Sequence, residues 1–143
     1  MASMACRALV ALFVTLAAGT FLTGALADGT DLYFADSGRC TLDKRAADGT
    51  LTTLGGALGF ADGPMASARF CPLGAIARRD NVYLVGDGGN DTVRIVDPAG
   101  GTVRSLAAPG GALVHPLGLA VDATRRIVYV ADTGNCVVRA ASY

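Results

Sequence analysis

Val128-Tyr129-Val130-Ala131-Asp132-Thr133-Gly134-Asn135-Cys136 is an aliphatic-tyrosine strand that ends on an aspartate and then a glycine turn. The same order occurs twice earlier in the 143-residue chain, as Leu32-Tyr33-Phe34-Ala35-Asp36-Ser37-Gly38-Arg39-Cys40 and as Val82-Tyr83-Leu84-Val85-Gly86-Asp87-Gly88-Gly89-Asn90-Asp91. β-Branched and aromatic residues suit a pleated, half-buried surface, whereas Asp, Asn and Gly suit tight turns. The marker aspartates Asp36, Asp87 and Asp132 are spaced 51 and 45 residues apart. Self-similarity at such a period signals a repeat architecture, in which each unit buries its faces against its neighbours.

Other columns repeat in the same order. Gly49-Thr50-Leu51-Thr52-Thr53-Leu54 matches Gly101-Thr102-Val103-Arg104-Ser105-Leu106, and Val93-Arg94-Ile95 matches Val138-Arg139-Ala140. Pro72-Leu73-Gly74-Ala75-Ile76-Ala77 matches Pro116-Leu117-Gly118-Leu119-Ala120-Val121, a strand whose small residues suit close approach of a neighbouring backbone. A full unit thus holds four short strands joined by turns, which is the pattern of a β-propeller blade rather than of a helical solenoid. The expected fold is all-β, in four-stranded antiparallel blades. With strands lettered a to d from the centre outward, a partial blade (b, c, d) is expected over 32–54, a full blade over 72–106 and a partial blade (a, b, c) over 116–140.

Composition narrows the alternatives. The chain has no Glu, one Lys and one His, which argues against a charged helical protein, and its 19 Gly lie beside turn residues without the collagen period. Twelve Lys and Arg balance twelve Asp. The only basic clusters are Lys44-Arg45, Arg78-Arg79 and Arg125-Arg126, too sparse for phosphate-backbone binding, so no nucleic acid partner is expected.

The N-terminus differs from the rest. Arg7 is its only charge, an apolar run follows from Ala8 to Leu22, and Ala25-Leu26-Ala27 ends it with small residues. That is the layout of a secretory signal peptide over 1–27, expected to be helical, with the blades occupying 28–143. Residues 8–27 are also about long enough for an uncleaved membrane anchor, the alternative localisation to a secreted, extracellular product.

The repeated segments resemble the NHL-repeat family, whose pattern of Pro-x-Gly-aliphatic-Ala, Leu-Tyr-Val-Ala-Asp, Gly-Asn, aliphatic-Arg and Gly-x-Val-x-x-Leu reads onto Leu32 to about Ala140. The longer link from Gly55 to Cys71, with Ala61-Asp62-Gly63 and Ala68-Arg69-Phe70, resembles that family's loop. The resemblance implies a propeller. Propellers close with about four to eight blades, so one full and two partial blades leave the ring incomplete. It could be completed by self-association or by another chain; the expectation is a shortened product. The first blade departs further, lacking strand a and reading Leu42-Asp43-Lys44 in strand c where the others have aliphatic-Arg-aliphatic. It should be the least stable.

Cys6 belongs to the leader, leaving Cys40, Cys71 and Cys136 in an oxidising compartment. Cys40 and Cys136 share a column after the b-strand turn, and Cys71 precedes the next blade's first strand. In the second blade those two columns hold Asp91 and His115. A Cys40–Cys71 disulfide between adjacent blades is therefore expected, with Cys136 left over; the alternative is three separate thiols.

Carboxylates on a shared rim could bind calcium, yet Asp36, Asp87 and Asp132 follow the repeat and read as turn-fixing groups. His115 could be a general base or the rim partner of Asp91. Ser37, Ser67, Ser105 and Ser142 lie in no nucleophile-elbow context. Asn90-Asp91-Thr92 makes Asn90 a candidate glycosylation site. No catalytic residue, metal or cofactor is expected. The reading is a non-enzymatic extracellular interaction module that binds protein or glycan through rim loops. The alternative is a fragment of a propeller enzyme, since the family resembles peptidyl-hydroxyglycine lyases and, more distantly, lactonases.

Overall fold

The structure, a computed structural model, describes residues 21–107 and 110–142. It contains three antiparallel sheets in chain order, one per blade. The first is β1 (Leu22–Asp28), β2 (Asp31–Asp36), β3 (Thr41–Arg45) and β4 (Leu51–Gly55), hydrogen-bonded in sequence order. In the second, β6 (Leu73–Arg79), β7 (Val82–Asp87), β8 (Thr92–Asp97) and β9 (Thr102–Ser105) run outward, and the two-residue β5 (Gly63–Pro64) adds to the outer edge of β9. The third is β10 (Pro116–Asp122), β11 (Ile127–Asp132) and β12 (Val137–Ser142).

One expectation is corrected here. The first blade does have a strand a: β1 pairs along β2 from Leu22 opposite Asp36 to Asp28 opposite Asp31. Residues 22–28 are therefore strand rather than the end of a signal helix, and Ala25-Leu26-Ala27 lies inside β1. The rest of the expected leader, residues 1–20, lies outside the described residues. A sequence signal for β1 existed. Thr23-Gly24-Ala25-Leu26-Ala27 follows the same order as Leu73-Gly74-Ala75-Ile76-Ala77, but its apolar composition reads equally well as a leader.

The register of each b–c pair is anchored on the repeated aspartate. Asp36 faces Thr41, Asp87 faces Thr92 and Asp132 faces Val137. Because side chains alternate across a strand, that register puts Ala35 and Leu42 on one face of the first blade and Phe34 and Asp43 on the other. The first of these faces packs on the second blade. Tyr33, Ala35 and Leu42 share a core with Leu73, Ile76, Tyr83, Val85, Val96 and Val103. The opposite face of the second blade supplies Leu84, Val93 and Ile95 to a second core with Leu113, Val128 and Val130. Each such fully buried aliphatic stabilises the stack by about 1.5–3 kcal/mol.

Close approach at the inner strands depends on glycine. A Cβ on Gly24 would lie 2.7 Å from the Ile76 nitrogen, and one on Gly74 would lie 2.6 Å from the Leu117 carbonyl oxygen of the next blade. Gly118, in the same column, would meet only its own sheet's Ala131 Cβ at 3.0 Å. The outward face of the third blade is correspondingly open: Val138 is 70% exposed, whereas Leu42 and Val93 in the same column are 1% and 0% exposed.

Candidate functional site

The chemistry-bearing residues gather on the rim where the b strands end. Each repeated aspartate is fully buried there, and each ties a turn to the linker that leads into its own blade. Asp87 Oδ1 accepts the Cys71 backbone N–H at 2.9 Å and an Asn90 side-chain N–H at 2.9 Å. Its Oδ2 accepts from Arg94 Nη1 at 3.0 Å. Asp132 repeats the arrangement, accepting from the Val114 N–H at 2.7 Å, Asn135 Nδ2 at 2.8 Å and Arg139 Nε at 2.5 Å. Burial alone would raise the Asp132 pKa; the Asn135, Val114 and Arg139 donors outweigh it and hold the carboxyl below its ordinary value. Asp87 and Asp132 thus have both carboxylate oxygens engaged in these contacts. Among the described residues, no group of three or more His, Cys, Asp or Glu side chains is placed to hold a metal ion.

The arginines were the missed half of this motif. Val93-Arg94-Ile95 and Val138-Arg139-Ala140 are visible in the sequence as a repeat, but only the b–c register puts each guanidinium against its aspartate. Arg94 is fully buried and also holds the long linker between the first two blades. Its Nη1 donates to the Arg69 carbonyl at 2.8 Å, and its Nη2 to the Ala61 carbonyl at 2.7 Å and to Asp62 at 2.5 Å. The rings of Phe60 and Phe70 lie 4.9 and 5.1 Å from the guanidinium carbon, a favourable cation–π geometry. Asp62 in turn accepts the Ser105 N–H at 3.0 Å. Burial pushes the Asp62 carboxyl up, but the Ser105 N–H and the Arg94 guanidinium together bring it below its ordinary value.

Adjacent blades are also joined across the rim. Cys40 and Cys71 form a disulfide with Cα atoms 5.0 Å apart, closing a sequence separation of 31 residues. In the same two columns between the next blades, Asp91 Oδ1 accepts the His115 backbone N–H at 2.8 Å and lies 3.7 Å from His115 Nδ1. His115 thus stands as the rim partner of Asp91. Cys136 is a free, exposed thiol. Cys40, Asp91 and Cys136 all take left-handed backbone conformations, with φ of 59°, 52° and 54°, so the three turns share one geometry.

The remaining candidates fall into place around these. Asn90 Nδ2 donates to both Asp87 oxygens and to the Gly59 carbonyl, each at 2.9 Å; a glycan on that nitrogen would disturb these contacts. The Ser105 hydroxyl serves Asp62, and the Ser67 hydroxyl the Pro64 carbonyl. The linker itself presents two large apolar side chains to solvent, Leu58 at 74% and Phe60 at 57% exposure. Its backbone is nevertheless pinned: the Gly59 N–H donates to the Phe70 carbonyl, the Phe70 N–H to the Ala57 carbonyl, and Ala61 and Arg69 exchange N–H and carbonyl contacts. No helix among the described residues is long and apolar enough to cross a membrane.

No protein-family profile matches the chain, and no curated protein matches it in sequence. Solved structures do match. A putative phosphatase from Bacteroides thetaiotaomicron is similar over 82% of this chain and 34% of its own, with 18% identity and a TM-score of 0.69. An auxiliary nutrient binding protein from the same organism is similar over 78% of this chain and 34% of its own, at 18% identity and a TM-score of 0.67. A catalytically inactive virginiamycin B lyase from Staphylococcus aureus, with quinupristin, is similar over 87% and 42%, at 10% identity and a TM-score of 0.60. The chain spans about a third of the length of the first two and less than half of the third. At such identities the likeness concerns the fold, and the class it defines is all-β, built of propeller-like antiparallel blades.

Proposed function

We propose that this chain is a non-enzymatic, extracellular propeller module of the NHL-repeat type that binds protein or glycan through its rim loops. The observation that carries the reading is the 57–71 linker. Leu58 and Phe60 stand in solvent on a backbone fixed by Arg94, Asn90 and the Cys71 disulfide, and a rigid loop with exposed apolar side chains is a binding device rather than a folding one. Burying what these two side chains still expose would contribute about 2–4 kcal/mol before the costs of association. The disulfide supports an oxidising compartment. The exposed face of the third blade around Val138 and Gly118 supports a unit that works inside a larger ring, completed by further blades. The test is to probe arrays of extracellular matrix proteins and of glycans with the wild-type chain and with Leu58→Asp/Phe60→Asp. The reading expects specific spots that the double variant loses while its circular dichroism stays unchanged. Binding that survives the double variant, or no binding by the wild type, would sink it.

A further inference from the structure

We infer that the outward face of the third blade docks a further blade from a partner polypeptide, one that enters on a cysteine and forms a disulfide with Cys136. Its premise is the reading of this chain as a unit within a larger ring. Two interfaces inside the chain show what such a face accepts. Ala35 and Leu42 of the first blade, 0% and 1% exposed, lie under the second blade; Val93 and Ile95 of the second, 0% and 2% exposed, lie under the third. In the third blade the Leu42 and Val93 column holds Val138, which is 70% exposed. Ala140, in the Ile95 column, is exposed, and Tyr129, in the Tyr33 and Leu84 column, is half-buried. Columns that are covered twice inside the chain are thus open at its third blade, as an interface side chain without its partner would be.

The inner strand and the rim give the chemistry of that partner. Gly24 and Gly74 leave room for the backbone of the next blade's inner strand, at Ile76 and at Leu117. Gly118 leaves the same room, and only its own sheet's Ala131 Cβ lies nearby. On the rim, the residue that ends each b–c turn in a left-handed conformation meets the residue ahead of the next inner strand. Cys40 bonds Cys71, ahead of Pro72, and Asp91 accepts the N–H of His115, ahead of Pro116. Cys136 holds this turn position at φ 54°, against 59° for Cys40. Cys40 is 6% exposed beneath its partner, whereas Cys136 is free and exposed. A next blade seated as the second sits on the first would bring its leading residue to the 5.0 Å Cα separation of Cys40 and Cys71, within the range a disulfide spans.

A second copy of this chain fits the position poorly. Its first blade enters on Phe21, where the cysteine would have to stand. Phe34 and Asp43, on the face that blade would present, are 2% and 3% exposed and have little surface left to bury. The occupant is therefore a blade of a different polypeptide, with a cysteine before its inner strand and aliphatic side chains in the Leu73 and Ile76 columns. Forming the bond takes one hydrogen from each thiol and passes two electrons to a disulfide oxidant. With oxidised glutathione, the products are the Cys136 disulfide and two molecules of reduced glutathione.

The experiment equilibrates the full chain in a glutathione redox buffer with a synthetic peptide of sequence 71–79, which opens on Cys71-Pro72 and carries Gly74 and Ile76. A control peptide keeps Cys-Pro and scrambles the rest. Intact mass and peptide mapping read the mixed disulfide at Cys136. The 71–79 peptide should be captured at least about ten-fold more favourably than the control, the factor that reburying one valine side chain supplies. Val138→Asp, folded by circular dichroism, should lose most of that preference, and Cys136→Ser should form no adduct. Equal capture of the two peptides, an undiminished preference in Val138→Asp, or a Cys136–Cys136 dimer that the 71–79 peptide does not displace would overturn the inference. Leu58→Asp/Phe60→Asp should capture the peptide as wild type does, so a failure of the rim loop to bind is distinguished from a failure of this junction.

Discussion

Replacing Arg94 with Met keeps most of the buried stem and deletes the guanidinium. The losses are unequal. Asp62 is 45% exposed, so water replaces much of what it loses and the pair is worth little. The Ala61 and Arg69 carbonyls still accept each other's N–H groups. Asp87, by contrast, is fully buried, and its Oδ2 would be left with the Asn90 amide alone. Breaking a buried pair by removing one partner costs about 3–5 kcal/mol, a large share of the roughly 5–15 kcal/mol that holds a typical domain together. Urea unfolding followed by far-ultraviolet circular dichroism should show that loss, and trypsin should cut sooner at Arg69 as the linker loosens. Asp87→Asn in the same background should recover part of it, because the stranded charge is gone while the Cys71 and Asn90 contacts can persist. A loss below about 1 kcal/mol for Arg94→Met, the value of a surface pair, would refute the view that this guanidinium staples the linker to the blade.

Reducing the Cys40–Cys71 bond, or replacing both residues with Ser, should lower stability by about 3–4 kcal/mol from loop-closure entropy, measured as the urea midpoint with and without reductant; an unchanged midpoint would oppose the stapling role. Gly74→Ala should cost about 1–3 kcal/mol because its Cβ would press on the Leu117 backbone, whereas Gly118→Ala, with only Ala131 Cβ nearby, should cost distinctly less; equal losses would mean that the blade-to-blade approach is not tight. The depressed carboxyls of Asp62 and Asp132 stabilise the fold above their unfolded values near 4, and this contribution is lost as pH falls through their lower folded values. Midpoints should therefore hold from pH 7 to about 5 and drop below about pH 4; a profile flat to pH 2 would contradict these assignments. Mass spectrometry of the protein as its cells produce it should find an N-terminus ahead of Phe21, since cleavage after Ala27 would remove β1 down to Asp28 and with it Leu26 from the first inter-blade core. An N-terminus at Asp28 would show that β1 is dispensable.

By itself, the sequence determined the strands of the repeated columns and their order. The aliphatic-Tyr-to-Asp columns reach the structure as β2, β7 and β11, each ending on its aspartate, because alternation and turn chemistry are local properties of the chain. The Asp91–His115 contact was legible for the same reason, as two columns exchanged together. Tertiary structure alone decided two other matters. It made Leu22–Asp28 a strand, since an apolar stretch with small residues is equally good as a leader and only pairing with β2 and the approach of Gly24 to Ile76 distinguish the two. It coupled Arg94 and Arg139 to the aspartates, because residues seven apart meet only when two strands fix their register.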